Sequence, residues 1–133
     1  MNTQPLDYIN MLDEFHRACG YNHSPIPSVD DRDRVTLWTN LLREEVGELL
    51  EALESGNLVA VADGIGDSLY VLFGMSLAFG IPIQEVFSEI HASNLSKIKR
   101  GTTWRPDGKV LRSDDYRKPD IRGIIERRLR LQD

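Results

Sequence analysis

Leu41-Leu42-Arg43-Glu44-Glu45-Val46-Gly47-Glu48-Leu49-Leu50 is the stretch that decides how this chain folds. At about 100° per residue on a helix, Trp38, Leu41, Leu42, Leu49, Ala52 and Leu53 make one apolar face. Glu45 points into the middle of that face and Glu48 lies at its edge, whereas Glu44, Glu51 and Glu54 project away from it. A carboxylate centred on a core-facing stripe is costly unless a cation or a metal compensates it. An EExxE run is ordinarily a solvated helix face, so a second feature has to decide its meaning.

That feature is Asp63 and Asp67. From Val59 to Phe79 the chain is almost continuously apolar, and these aspartates are its only charged residues. Four apart, they share a helix face. The flanking positions on that face, Ala60, Gly64, Val71, Gly74 and Ala78, are mostly small and leave room for ions and water. No Lys or Arg lies between Arg43 and Lys97, so no local base can pair with them. The four carboxylates Glu45, Glu48, Asp63 and Asp67 therefore point to a Mg²⁺ site, or Mn²⁺ in its place, with oxygen ligands. The rival is a buried ion-pair network drawing bases from the C-terminal third.

Composition sets the frame. The 133 residues, 41% of them hydrophobic, suit one domain with a real core. The single cysteine, Cys19, allows no disulfide framework and fits a reducing, cytoplasmic setting. The start, MNTQPLDYIN, does not read as a secretory signal. Two aspartates and three glycines interrupt the longest apolar run, which argues against a membrane span. Charge is divided: residues 1–96 carry 4 bases and 15 acids, and residues 97–133 carry 12 bases and 6 acids. The basic end suits nucleic acid or the phosphates of a small substrate. With only Trp104 and Tyr116 as aromatic residues there, a nucleic-acid surface is thinly supported.

Periodicity and punctuation predict an all-α chain. A first helix runs from Leu6 to Ala18 and stops near Gly20, followed by a proline-containing loop to Asp31. Asp30, Asp31 or Asp33 caps a second helix ending near Ser55, with Gly56-Asn57 as its stop. A third helix starts near Leu58 and ends before Gly80. It is apolar nearly all round, hence central or covered by another subunit. Ile81-Pro82 opens a fourth, which ends around Arg100-Gly101. The expected architecture is an antiparallel four-helix bundle over about residues 6–100, in a single domain spanning 1–133. A C-terminal arm from about 101 to 133 turns at Pro106-Asp107-Gly108, where Lys109-Val110-Leu111 reads as a short strand or extended piece. Ile121 to Leu131 reads as a short amphipathic helix or a tail packing on a neighbour.

With these residues placed, the chain resembles the all-α nucleotide pyrophosphohydrolases: the MazG-like and phosphoribosyl-ATP pyrophosphohydrolase-like group, related to the dimeric dUTPases. The resemblance rests on Phe15-His16, Leu42 to Leu49, Asp63-Gly64-Ile65-Gly66-Asp67-Ser68-Leu69-Tyr70-Val71, Ser93-Asn94-Leu95-Ser96-Lys97 and Asp107 to Leu111. It implies Mg²⁺-dependent cleavage between the α- and β-phosphates of a nucleoside triphosphate, dUTP or a non-standard nucleotide among the candidates, giving the monophosphate and pyrophosphate. It also implies a homodimer or homotetramer. The family's ExxE falls on Glu45 and Glu48. Its usual ExxD is incomplete: Asp67 fits the aspartate, but the position three before it is Gly64, and the nearest carboxylate is Asp63.

Within that resemblance Glu45 is a ligand, and Glu44, beside the ligands and off the apolar face, could orient or deprotonate the attacking water. Glu44 is as readily an exposed helix glutamate. Asn94 and Lys97 become phosphate or sugar contacts, against the plainer reading of a helix-terminal lysine meeting the dipole. Lys109 and Tyr116 are candidates on an arm closing over the nucleotide. His16 could line a base pocket, although a lone histidine beside an aromatic is usually packing. From a different class comes a non-catalytic helical interaction module whose basic tail binds nucleic acid or a partner. A ferritin-like di-iron centre needs Glu-x-x-His, and here Ser88 precedes His91 in that spacing.

Overall fold

Each of the first three helices starts on a side chain that supplies what the backbone lacks there. In the computed structural model, which describes residues 4–98 and 102–131, α1 spans Tyr8–Cys19, α2 Arg32–Ser55 and α3 Leu58–Ala78. Asp7, Asp31 and Asn57 are their N-caps, each accepting a hydrogen bond at 3.1 Å from the backbone N–H three residues on. Such caps contribute about 1 kcal/mol each. Gly56 closes α2 in the left-handed region at φ 69°. Gly56 and Asn57 thus end one helix and begin the next, which forces α2 and α3 antiparallel.

The chain falls into two compact units, 1–81 and 82–133. In the first, α3 packs against both α2 and α1. Trp38, Ala78 and Phe79 form its buried centre, with Val35, Leu41, Val71, Met75 and Ile81 packed around them. The α1–α2 loop is tied to the end of α3 by Ser24 N–H to the Ala78 carbonyl at 2.8 Å and Ser28 N–H to that of Phe79 at 3.0 Å. Glycine sets the helix spacing: a Cβ added at Gly64 would stand 3.0 Å from Leu49 Cα on α2.

α3 does not bury its apolar surface all round. Leu58 and Val59 are each 80% exposed, and Ile65, Leu69 and Leu72 are also exposed. By length and composition alone this helix is apolar enough to cross a membrane. It carries Asp63 and Asp67 within that length, and an aspartate at a bilayer centre costs roughly 2.5–3.5 kcal/mol.

In the second unit α4 spans Ile83–Leu95 and α5 Ile121–Arg130, and the two pack together. α4 ends at Leu95, earlier than the sequence predicts; residues 99–101 of the predicted helix lie outside the described residues. The early stop has a side-chain cause. Ser96 donates its hydroxyl to the Ser93 carbonyl at 2.6 Å and accepts the Arg117 N–H at 2.8 Å. Ser93 donates to the Arg117 carbonyl and Ser113 to the Ser96 carbonyl. These bonds hold the arm on the last turn of α4. The predicted strand is a single antiparallel bridge, Trp104 with Val110, around a turn whose Gly108 has φ 92°.

Candidate metal centre

The heptad spacing that places Trp38 in the core also turns Glu45 inward, two helix turns along α2. Glu45, Glu48 on the same helix and Asp67 on α3 each bring one carboxylate oxygen within 4.8 Å of the others. Glu45 and Asp67 are half-buried and Glu48 is exposed. Among the described residues no ion pair includes Glu44, Glu45, Glu48, Asp63 or Asp67. Three ionised carboxylates this close repel by on the order of 1 kcal/mol per pair even when well solvated. The Glu45 pKa is accordingly raised above the ordinary glutamate value, first by burial and then by Asp67, Glu48, Glu44 and Asp63.

The donor set fits a hard divalent cation. One oxygen of Glu45, Oε2, is buried without a hydrogen-bond partner, an arrangement that costs free energy until something positive or protic compensates it. Oxygens sharing one Mg²⁺ at about 2.1 Å stand about 3–4 Å apart, so only a slight contraction of the group is needed. Glu45, Glu48 and Asp67 are the residues that would hold the ion.

Asp63 does not join this group of three. It is exposed, one turn nearer the start of α3, and its short side chain leaves its oxygens outside the cluster, although its charge still acts on Glu45. Gly64 beside it is the contact point with α2. Glu44 is exposed on α2 next to the ligands. His16 is 1% exposed and packed: its Nδ1 lies 2.8 Å from His23 Nε2, and its ring sits against Trp38 and Tyr21. Burial foremost, then the His23 charge, lowers its pKa below 6.5, with Asp13 opposing.

The remaining candidates lie in the second unit. Asn94 is exposed near the end of α4. Lys97 Nζ stands 5.8 Å from the centre of the Tyr116 ring, with the Arg112 guanidinium at 4.7 Å from that centre. Lys109 is exposed, its carbonyl accepting the Arg105 N–H across the arm's turn at 2.7 Å. Sequence reasoning missed Ser93, Ser96 and Ser113, which fasten the arm, and His23, which reaches His16 only once the loop folds back. It also missed Ser68, 7% exposed, with a buried hydroxyl that has no partner. Two serines three apart near the end of an amphipathic helix were the available signal for the first pair.

A profile of the phosphoribosyl-ATP pyrophosphohydrolase family matches residues 12–94, a span that includes Glu45, Glu48 and Asp67. The uncharacterized protein L479 of Acanthamoeba polyphaga mimivirus is 34% identical over 84 residues, covering 60% of this chain and 34% of the viral protein. The chain thus spans about a third of the length of that relative.

Proposed function

The chain belongs to the phosphoribosyl-ATP pyrophosphohydrolase family, and we propose that it is a Mg²⁺-dependent nucleoside triphosphate pyrophosphohydrolase. Its substrate is an NTP or dNTP, with dUTP and non-standard nucleotides among the candidates, and its products are the monophosphate and pyrophosphate. The observation that carries this reading is the unpaired trio Glu45, Glu48 and Asp67, with a buried oxygen of Glu45 left without a partner.

Glu45, Glu48 and Asp67 would hold the ion, with Asp63 adding negative potential from one turn away, and the ion would supply neutralisation of the polyphosphate, acidification of water and alignment of an in-line displacement. Glu44 takes the proton of the attacking water. The water oxygen bonds to phosphorus at one end of the α–β bridge, the bond from that phosphorus to the bridging oxygen breaks, and the oxygen leaves with the departing group. Asn94, Lys97, Lys109 and Tyr116 are assigned to phosphate and sugar contacts, and His16 to lining the base pocket.

The assembly is a homodimer or homotetramer. The apolar side chains left uncovered on α3, Leu58 and Val59 foremost, support this, since contiguous exposed apolar surface marks an interface. The setting is the cytoplasm, where the exposed thiol of Cys19 stays reduced. The test is a panel of NTPs and dNTPs with Mg²⁺, the products identified. Monophosphate with pyrophosphate from at least one nucleotide, lost in Glu48→Gln and Asp67→Asn, is the expected result; no turnover of any nucleotide contradicts the assignment.

A further inference from the structure

Ser68 departs from what Ser55, Ser76 and Ser96 do. Ser55, Ser76 and Ser96 each donate their hydroxyl to the backbone carbonyl three residues back, at 2.9, 2.7 and 2.6 Å, the local satisfaction typical of serine in and around helices. Ser68 is buried at 7% exposure, as Ser76 and Ser96 are at 5% and 7%, yet its Oγ has no hydrogen-bond partner.

The register of the helix pair identifies what it faces. Gly64 on α3 lies against Leu49 on α2, and Gly74 lies against Trp38. The two helices run antiparallel, so one turn forward from Gly64 and one turn back from Leu49 brings Ser68 level with Glu45. The other buried side-chain oxygen without a partner among the described residues is Glu45 Oε2. A hydroxyl donor and a carboxylate acceptor are thus both unsatisfied at one level of one helix pair.

On the reading that Glu45, Glu48 and Asp67 hold a divalent cation, we propose that Ser68 is a positioning residue of that site. Its hydroxyl donates to Glu45 Oε2 and so presents Oε1 to the cation. A hydrogen bond to an ionised carboxylate is roughly twice as strong as one between neutral groups.

The test is Mn²⁺ binding to the full-length protein without nucleotide, followed by calorimetry and by the electron paramagnetic resonance of free Mn²⁺, for wild type, Ser68→Ala and Ser68→Thr. Loss of a group that orients a ligand typically weakens metal binding by about 10–100-fold. Ser68→Ala is expected to weaken binding within that range, while its metal-free urea midpoint stays level or rises because an unsatisfied hydroxyl has been removed. Ser68→Thr, which keeps the hydroxyl, is expected to retain binding. Equal Mn²⁺ affinity in wild type and Ser68→Ala overturns this proposal and leaves the metal centre standing. A lowered metal-free midpoint in Ser68→Ala overturns it as well, since the hydroxyl would then serve the fold. Absence of Mn²⁺ binding by wild type removes the metal centre and this proposal together.

Discussion

Replacing Gly64 by alanine tests whether α2 and α3 approach as closely as the metal centre requires. Two opposing terms decide the outcome. Alanine is favoured over glycine in a helix interior by about 0.8–1 kcal/mol. Against this, the new methyl carbon would stand 3.0 Å from Leu49 Cα, 3.1 Å from its Cβ and 3.2 Å from its Cδ1. Two of those atoms are fixed to the α2 backbone, so relief requires the helices to part by a few tenths of an ångström. Overpacking of this kind costs about 1–3 kcal/mol, which leaves Gly64→Ala between roughly neutral and about 2 kcal/mol less stable than wild type. Gly66→Ala is the control: it lies on the same helix, and its added carbon meets nothing within 4 Å. It gains the propensity term alone, about 1 kcal/mol. The gap between the two variants is therefore the packing term. At urea m-values of about 1–3 kcal/mol/M it separates their midpoints by roughly 1 M. Gly64→Ala also parts Glu48 from Asp67, which lie beside the contact, so it weakens Mn²⁺ binding while Gly66→Ala does not. Equal urea midpoints for the two variants would refute the close-approach reasoning.

Three further outcomes follow from named groups. Glu48→Gln and Asp67→Asn each remove one of three clustered carboxylates and relieve repulsion on the order of 1 kcal/mol; both should raise the metal-free urea midpoint at neutral pH while losing more Mn²⁺ affinity than the about 10–100-fold of an outer partner, measured by calorimetry. His16 is held neutral by burial, so the unfolded chain binds more protons in the window below the ordinary value of 6.5. Its contribution is complete above 6.5 and is lost as pH falls through that value toward the lowered folded pKa; urea midpoints from pH 8 to 5 should show a shallower decline in His16→Gln than in wild type. Ser96→Ala leaves the part-buried Arg117 N–H without its acceptor, a loss worth about 1 kcal/mol; hydrogen exchange over residues 112–120 should accelerate while exchange in α1 to α3 stays unchanged.

The legible parts of this fold are those whose chemistry is local. Asp31, one of three aspartates offered as the cap of α2, caps it, and Gly56 ends it, because cap and helix are separated by a few residues and a short side chain spans the gap. The inward turn of Glu45 followed from the same helical count that buries Trp38. The all-α class was legible for this reason. The illegible parts depend on residues far apart in sequence. α4 stops at Leu95 because Ser93 and Ser96 bond to residues 113–117, and no periodicity within α4 records that. Asp63 and Asp67 lie on one face by counting, yet only Asp67 joins the glutamates. Nothing in the sequence marks Ser68, whose hydroxyl is buried without a partner.

The central claim is that Glu45, Glu48 and Asp67 are tolerated together because a divalent cation belongs among them. Calorimetric titration of the metal-free protein with Mn²⁺ and with Mg²⁺ at neutral pH tests it most directly. Saturable binding in wild type that disappears in Asp67→Asn is the predicted result. Titrations in which neither ion produces a binding isotherm, or in which Asp67→Asn binds as tightly as wild type, contradict it.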